Sequence, residues 1–283
     1  MFDTIIVEPI LNVLIFIYAI IPGHNFGLAI ILFTILVRLA MQPLIKKQLR
    51  HGRAMRELQP EIDKIKKATK GDSQQTAKLT MELYKEREIS PFSSLGPIAV
   101  QIVVLIGLYT GLRHVADDPN VVLTSSYNWL HNLGALKDLA ADISRFDFSL
   151  FGIVDLSRAA GGSSGFYLPA FVIVVGSAVS QYFMGKQTLP EDKDARSLRK
   201  ILKDSRNGGE KAAGAEVQSI FGNGLKYLIP IFILVFTYGL PSAVALYWLT
   251  SGAFGYIQQK RILDRDEAEL LKTKKSPAVK AKK

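Results

Sequence analysis

Arg38 lies within ILFTILVRLAMQPLIKK (31–47), an apolar run in which no lysine appears before Lys46. A guanidinium near the centre of a bilayer costs ~2.5–3.5 kcal/mol on insertion scales, so a charge kept there needs a use. At helical spacing Thr34, Arg38 and Gln42 fall at i, i+4 and i+8, on one face. Other apolar runs carry polar groups as well: Gln101 in the second, Gln181 with Ser177 one turn earlier in the third, and Tyr247, Ser251 and Gln258 on one face of the last, with Thr250 beside them. No Asp or Glu lies in any of these runs. The partners of Arg38 must then be neutral acceptors, water, or something that arrives from outside the chain. One reading is that Arg38 snorkels, since it lies ~12 Å of helix rise from Lys46, while the glutamines and serines bond neighbouring helices. The other is a water-filled cavity whose cation attracts a polar or acidic visitor. Cysteine is absent, which excludes disulfides, thiol chemistry and cysteine-ligated metals. The residues suggest no catalytic group, metal ligand or cofactor.

These side chains need membrane helices to hold them. The chain is 48% apolar yet carries 35 Lys and Arg against 25 Asp and Glu, with charge and apolar residues segregated along it. That pattern describes an all-α polytopic membrane protein with basic aqueous loops rather than a soluble nucleic-acid binder. Five spans are expected, at 27–45, 92–113, 166–184, 225–239 and 242–258. The segment 46–91 has 12 Lys/Arg, 185–226 has 9 and the tail after Gln259 has 9, whereas 113–165 has 4 against 6 acidic residues and 1–37 has none. The positive-inside rule puts the three basic regions in the cytosol, with the N-terminus outside and the C-terminus inside. This requires Gly239-Leu240-Pro241-Ser242 to be the turn of a hairpin. Each of its arms is ~22 Å of helix, short of a ~30 Å hydrocarbon core, and implies local thinning. Residues 1–26 read as an amphipathic helix on the outer surface. A sixth span or signal is disfavoured by the missing basic residues and by Asp3, Glu8, Pro9 and Asn12. The role of 114–165 is left open beyond packing over the outer face.

The segment 46–91 reads as a basic helical hairpin of net charge +5. Met55, Leu58, Ile62 and Ile65 repeat at heptad spacing, and Leu79 and Leu83 come after a break. Pro60 kinks or restarts the first arm, Lys70-Gly71 ends it, and Asp72 with Gln75 opens the second. Lys64, Lys66 and Lys67 are its candidate contacts for an incoming chain or a ribosome, although a merely solvated hairpin fits the pattern equally. The tail KTKKSPAVKAKK (272–283), with Lys274, Lys275 and Lys282, and the stretch SLRKILKDSR (197–206) suit ribosomal RNA or anionic lipid.

The segments together resemble the YidC/Oxa/Alb family of membrane-protein insertases, in a form without the large outer domain of some members. GLAIILFTILVRLAMQPL (27–44) is similar to the family's arginine-bearing first core span. RELQPEIDKIKK (56–67) and MELYKEREISPF (81–92) resemble its cytosolic hairpin, GPIAVQ (96–101) its second span, FYLPAFVIVVGSAVSQYFMGK (166–186) its third, and LPSAVALYWLTSGAFGYIQQKRI (240–262) its closing hairpin. The order is the family's over most of 20–265. The resemblance implies a five-helix core around a hydrophilic groove in a bacterial plasma membrane, with Arg38 as its cation and Gln101, Gln181 and Tyr247 as lining. The polar stripe adds Thr34, Gln42 and Ser251. It further implies insertion of nascent membrane proteins without nucleotide hydrolysis, with the ribosome, the Sec translocon and the signal recognition particle machinery as candidate partners. Departures are Ser90 where Asn is usual, Leu95 where Cys is usual, Ile102-Val103 in place of a second proline, and Gly252 where Asn is frequent.

Two other classes fit parts of the pattern. A small channel or secondary transporter stands as the alternative, although the chain shows neither an inverted repeat nor a carboxylate relay. GGSSG (161–165) fits the serine-hydrolase elbow G-x-S-x-G, but all four histidines precede it, against the order that elbow requires.

Overall fold

The computed structural model describes residues 1–69, 72–88, 95–162, 165–188 and 225–275. Lys70-Gly71, Ser90, Ser163-Ser164, the stretch 197–206 and Lys282 lie outside them.

Asn25 opens α2 (Phe26–Ala40) by accepting from Leu28 N at 3.0 Å. Pro43 ends it: a proline lacks the N–H that Leu39 O would receive, and its ring collides with that carbonyl. The chain turns by 59° into α3 (Gln42–Glu57). The expected 27–45 stretch is therefore carried by two helices, α2 up to Ala40 and the amphipathic α3 beyond the bend. Its Ile45 and Leu49 are buried with Met41 and Ile262. Pro60 restarts the chain as α4 (Gln59–Ala68) rather than kinking it. Asp72 then caps α5 (Ser73–Glu86) by accepting from Gln75 N at 3.0 Å. α4 and α5 form a hairpin with its own small core of Leu58, Ile62 and Leu83, closed by a Thr69–Thr76 hydroxyl pair at 2.6 Å.

The bundle is completed by α6 (Leu95–Asp117), α7 (Val121–Thr124), α8 (Gly134–Ala141), α9 (Leu168–Thr188), α10 (Leu225–Tyr238) and α11 (Ser242–Lys275). α9 packs on both α10 and α11, and α11 also lies along α2. By length and composition three described helices can cross a membrane: Asp3–Ile20, Ala99–Asp117 and Leu168–Gln187, with α2 and α3 a fourth when the bent pair counts as one. α10 is apolar but short and contains Pro230. α11 runs on past the expected span end at 258 as one helix to Lys275, because no glycine or proline interrupts it after Gly255. Ile262 beneath α3 gives the extension an apolar footing.

α1 (Glu8–Ile20), entered through a π turn at Asp3–Val7, is more than a helix laid flat on a surface. Its start packs into α6, where a Cβ on Gly107 would come within 2.7 Å of Ile6 and Ile10 side chains. The polar residue Asn12 is buried: it donates to Glu8 O at 2.8 Å and Ser125 O at 3.0 Å, and accepts from Tyr127 N at 2.6 Å. A side chain that counted as an interruption in the sequence thus ties α1 to the 118–162 segment.

That segment covers one end of the bundle. Phe146 and Phe148 pack with Tyr18 and Phe26. A two-residue hairpin, β1 (Ser149–Leu150) and β2 (Val154–Asp155), lies on the first turn of α2. Gly27 permits this, since a Cβ there would stand 2.8 Å from the Leu150 Cα and the Ser149 carbonyl. The other side of the cap holds the α10–α11 turn: Ser242 Oγ donates to Asp155 O at 3.0 Å, and Gly161 N to Tyr238 O at 3.2 Å.

Candidate functional site

Away from the capped end, α2, α9 and α11 converge on Arg38, which is 7% exposed. Its Nε and Nη2 both donate to Ser251 Oγ, at 2.9 and 2.7 Å, and Nη2 also reaches Met184 Sδ at 3.4 Å. Nη1 has no hydrogen bond among the described residues, and no carboxylate pairs with the guanidinium there. Gly255 makes room for the head group, because a Cβ would stand 3.1 Å from Nη1 and Cζ. Where the helix breaks, the Arg38 carbonyl accepts from Gln258 Nε2 at 2.8 Å. A buried cation held only by neutral groups is an expensive arrangement, and it leaves two N–H donors uncommitted.

The neighbouring polar groups extend the cluster along α11. Gln181 Nε2 donates to Trp248 O at 3.2 Å. Tyr247, buried on α11, accepts a short hydrogen bond from Gln101 on α6. Thr34 and Ser177 turn back on their own helices, donating to Ile30 O at 2.6 Å and Val174 O at 2.7 Å. Hydroxyls spent in this way line the interior without offering a donor.

Thr34, Arg38, Gln101, Gln181, Tyr247 and Ser251 thus belong to one interior, in which Arg38–Ser251 and Gln101–Tyr247 are the direct pairs. Gln42 does not join them. The break at Met41 places it, exposed, on α3, so the i+8 spacing is lost. Lys64 and Lys67 are exposed on α4, and Lys66 stands 4.0 Å from Asp63. Lys274 and Lys275 end the described part of α11. Met184 and Gly255 escaped the sequence reading. Met184 reads as an ordinary apolar residue, but Gly252 and Gly255 at i, i+3 beside Ser251 form the small-residue signal of close helix packing.

Past the bundle, Arg50 on α3 holds Asp266 on α11 through two hydrogen bonds, at 3.1 and 3.0 Å. These bonds, helped by the charges of Arg50, Lys46 and Arg53, hold the Asp266 carboxyl below the usual range against its desolvation. A depressed folded-state value gives stability that is complete above the ordinary Asp value near ~3.9 and lost as pH falls through the lower one. With Arg50 54% exposed, the pair is worth no more than ~1 kcal/mol. Spin labels on cysteines introduced into α3 and the α11 extension should report a fixed separation at neutral pH and a broadening below pH ~4. In Asp266→Asn the broadening should be present at every pH. An Asn variant as narrow as the parent at neutral pH would show that Ile262 alone holds the extension.

The fold and its interior define a class, an all-α polytopic membrane protein with a buried arginine that no carboxylate pairs among the described residues. The model of the 60Kd inner membrane protein family matches residues 16–269, and the chain belongs to this family, the YidC/Oxa/Alb group. It is 29% identical over 241 residues to the "Membrane protein insertase YidC" of Fusobacterium nucleatum, covering 85% of this chain and 87% of that one. It is 27% identical over 256 residues to the "Membrane protein insertase MisCA" of Bacillus subtilis, covering 89% and 75%. The "Inner membrane protein ALBINO3, chloroplastic" of Arabidopsis thaliana is 28% identical over 83% of this chain, which spans only 46% of that relative.

Proposed function

We propose that the chain inserts and helps fold other membrane proteins, passing their transmembrane segments from the cytosol into the bilayer along a hydrophilic groove around Arg38. The observation that carries this reading is the guanidinium itself. It is fixed by Ser251, unopposed by any carboxylate among the described residues, and left with Nη1 uncommitted. An acidic residue in the polar part of a client can take Nη1 while Ser251 keeps its two bonds. The client's charge is thereby matched halfway through a layer that would otherwise reject it. Burial of the incoming helix, at about 0.8 kcal/mol per CH₂, supplies the driving force. The membrane potential adds ~2.3 kcal/mol per 100 mV for each acidic charge drawn outward. Nucleotide hydrolysis is not required.

The proposed topology has the N-terminus outside and the C-terminus in the cytosol, with the 118–162 cap outside and the polar interior opening inward. The shortness of α2 and α10, 15 and 14 residues, favours a locally thinned bilayer that shortens the dry path further. On this reading α4–α5, with Lys64, Lys66 and Lys67, receives the chain as it leaves the ribosome. The basic end of α11 and the residues after it contact ribosomal RNA or anionic lipid. The Sec translocon and signal recognition particle machinery are its candidate co-workers. A photo-crosslinking residue at Gln101 or Tyr247 should capture a ribosome-stalled membrane protein. One at Val235, 68% exposed on the lipid side of α10, should capture lipid instead. Equal capture of the client from Val235 would refute the groove.

A further inference from the structure

The β1–β2 hairpin carries a turn that its sequence should avoid. Ile153 N donates to Leu150 O at 3.0 Å, so Phe151 and Gly152 are the two central residues, and both have positive φ, at 54° and 69°. That is the mirror-image hairpin turn, for which Asn-Gly is a favoured pair. Glycine adopts it freely, but a bulky residue with positive φ is a strained outlier. Burial does not repay the strain, because Phe151 is 62% exposed and Ile153 75%. A strained turn that presents two large apolar residues instead of burying them points to a partner outside the chain.

The surroundings indicate what that partner is. β1 lies against the first turn of α2, where Leu150 meets Gly27. β2 is tied to the start of α9: Tyr167 Oη accepts from Asp155 N at 3.0 Å and donates to Ile153 O at 3.5 Å. Tyr167 immediately precedes the apolar span Leu168–Gln187, and Phe166 and Leu168 on either side of it are exposed. The tip therefore continues the apolar surface of a membrane helix. Arg158 stands over the Tyr167 ring, with Cζ 4.2 Å from its centre. It is exposed, and its guanidinium has no hydrogen bond or ion pair among the described residues. We infer that the hairpin tip is a membrane anchor. Phe151 and Ile153, with Phe166 and Leu168, enter the acyl region of the leaflet on the capped side, and Arg158 takes a lipid phosphate at the level of Tyr167. Aromatic rings favour that boundary, and arginine offers a phosphate paired donors. Because Asp155 also holds Ser242, the anchor fixes the α10–α11 turn relative to the bilayer. The inference needs the chain to be a membrane protein, but neither the insertase reading nor the side that the cap faces.

The chain has no cysteine, so Phe151→Cys, Ile153→Cys and, as a control on the exposed side of α8, Lys137→Cys each give one nitroxide site in the full protein. In vesicles of phosphatidylethanolamine and phosphatidylglycerol, electron paramagnetic resonance power saturation compares collisions with oxygen, which concentrates among the acyl chains, and with a water-soluble nickel chelate. The oxygen-to-nickel ratio at 151 and 153 should exceed that at 137 at least threefold. Phe151→Asn, which suits the turn, should lower the ratio at a label on 153 without lowering the melting temperature, and Arg158→Gln should also lower it. Ratios at 151 and 153 equal to that at 137 would place the tip in water and overturn the anchor. Shielding from both reagents would overturn it too, by placing the tip against protein, whether a second copy or another chain. A label on 153 insensitive to both substitutions would have the same force.

Discussion

Arg38→Ala should lower insertion of clients with an acidic translocated segment by about 10- to 100-fold in reconstituted vesicles, and should barely affect clients without one. The magnitude reflects the interaction removed. A hydrogen bond to a charged group is worth ~1.5–3 kcal/mol, and each 1.4 kcal/mol is about a factor of ten. Arg38→Lys should recover most of the loss, because a point charge suffices for the client, although a single ammonium cannot hold Ser251 and a carboxylate in the same fixed fork. The structural cost should run the other way. Among the described residues the guanidinium is hydrogen-bonded only to a hydroxyl and a thioether, so removing it relieves a buried charge. Arg38→Ala should therefore unfold no earlier than the parent on heating. A large drop in melting temperature with insertion unaffected would make Arg38 a packing residue and end its proposed role.

The second large effect concerns the space between α9 and α11. A Cβ on Gly252 would meet Ser180 Cβ at 2.9 Å and Gln181 Nε2 at 3.0 Å, with Ser180 Oγ closer still. The hydroxyl can rotate, but Cβ is fixed to its helix, so a leucine there must push the helices apart. Overpacking of this kind costs ~1–3 kcal/mol and occasionally more. It also breaks the Gln181–Trp248 bond and moves Met184 away from Arg38. Gly252→Leu should lower the melting temperature by several degrees and depress insertion of all clients, acidic or not, which separates it from Arg38→Ala. Gly185 on the same helix as Ser180 has open space around its Cβ position. Gly185→Ala should be neutral, or stabilising by ~0.4–1 kcal/mol. A Gly252→Leu protein that melts with the parent would mean that the two helices are not held together at this point.

Sequence patterning located the apolar helices well, because a run of the right length with charges banked at its ends leaves few alternatives. It also placed the turn at Gly239-Leu240-Pro241-Ser242, where α10 stops and α11 starts. It failed where one backbone feature overrides a period. Thr34, Arg38 and Gln42 share a face only if the helix is continuous, and Pro43 makes it bend just before Gln42. It was silent on the length of α11, which continues as a helix to Lys275 past the expected span end at 258. Polarity marks where a helix leaves the lipid, however, and only glycine, proline or a cap marks where it stops. The interior side chains were recognised as polar, but not their pairings. That Ser251 holds Arg38 while Tyr247 holds Gln101 depends on the rotation of α11 about its own axis, which no one-dimensional spacing between helices encodes. Asn12 is the clearest case: its role comes from a loop more than 110 residues away in the chain.

The unbroken course of α11 has a mechanical corollary. From Ser242 to Lys275 it is a single rod of roughly 50 Å at 1.5 Å per residue. One end is riveted to the cap through Ser242, and the middle is keyed to Arg38 through Ser251 and Gln258. A rod of that kind carries torsion along its length. Any body that grips its far end and turns it, even slightly, also turns Ser251 about the axis, and so adjusts from a distance how firmly the arginine is held.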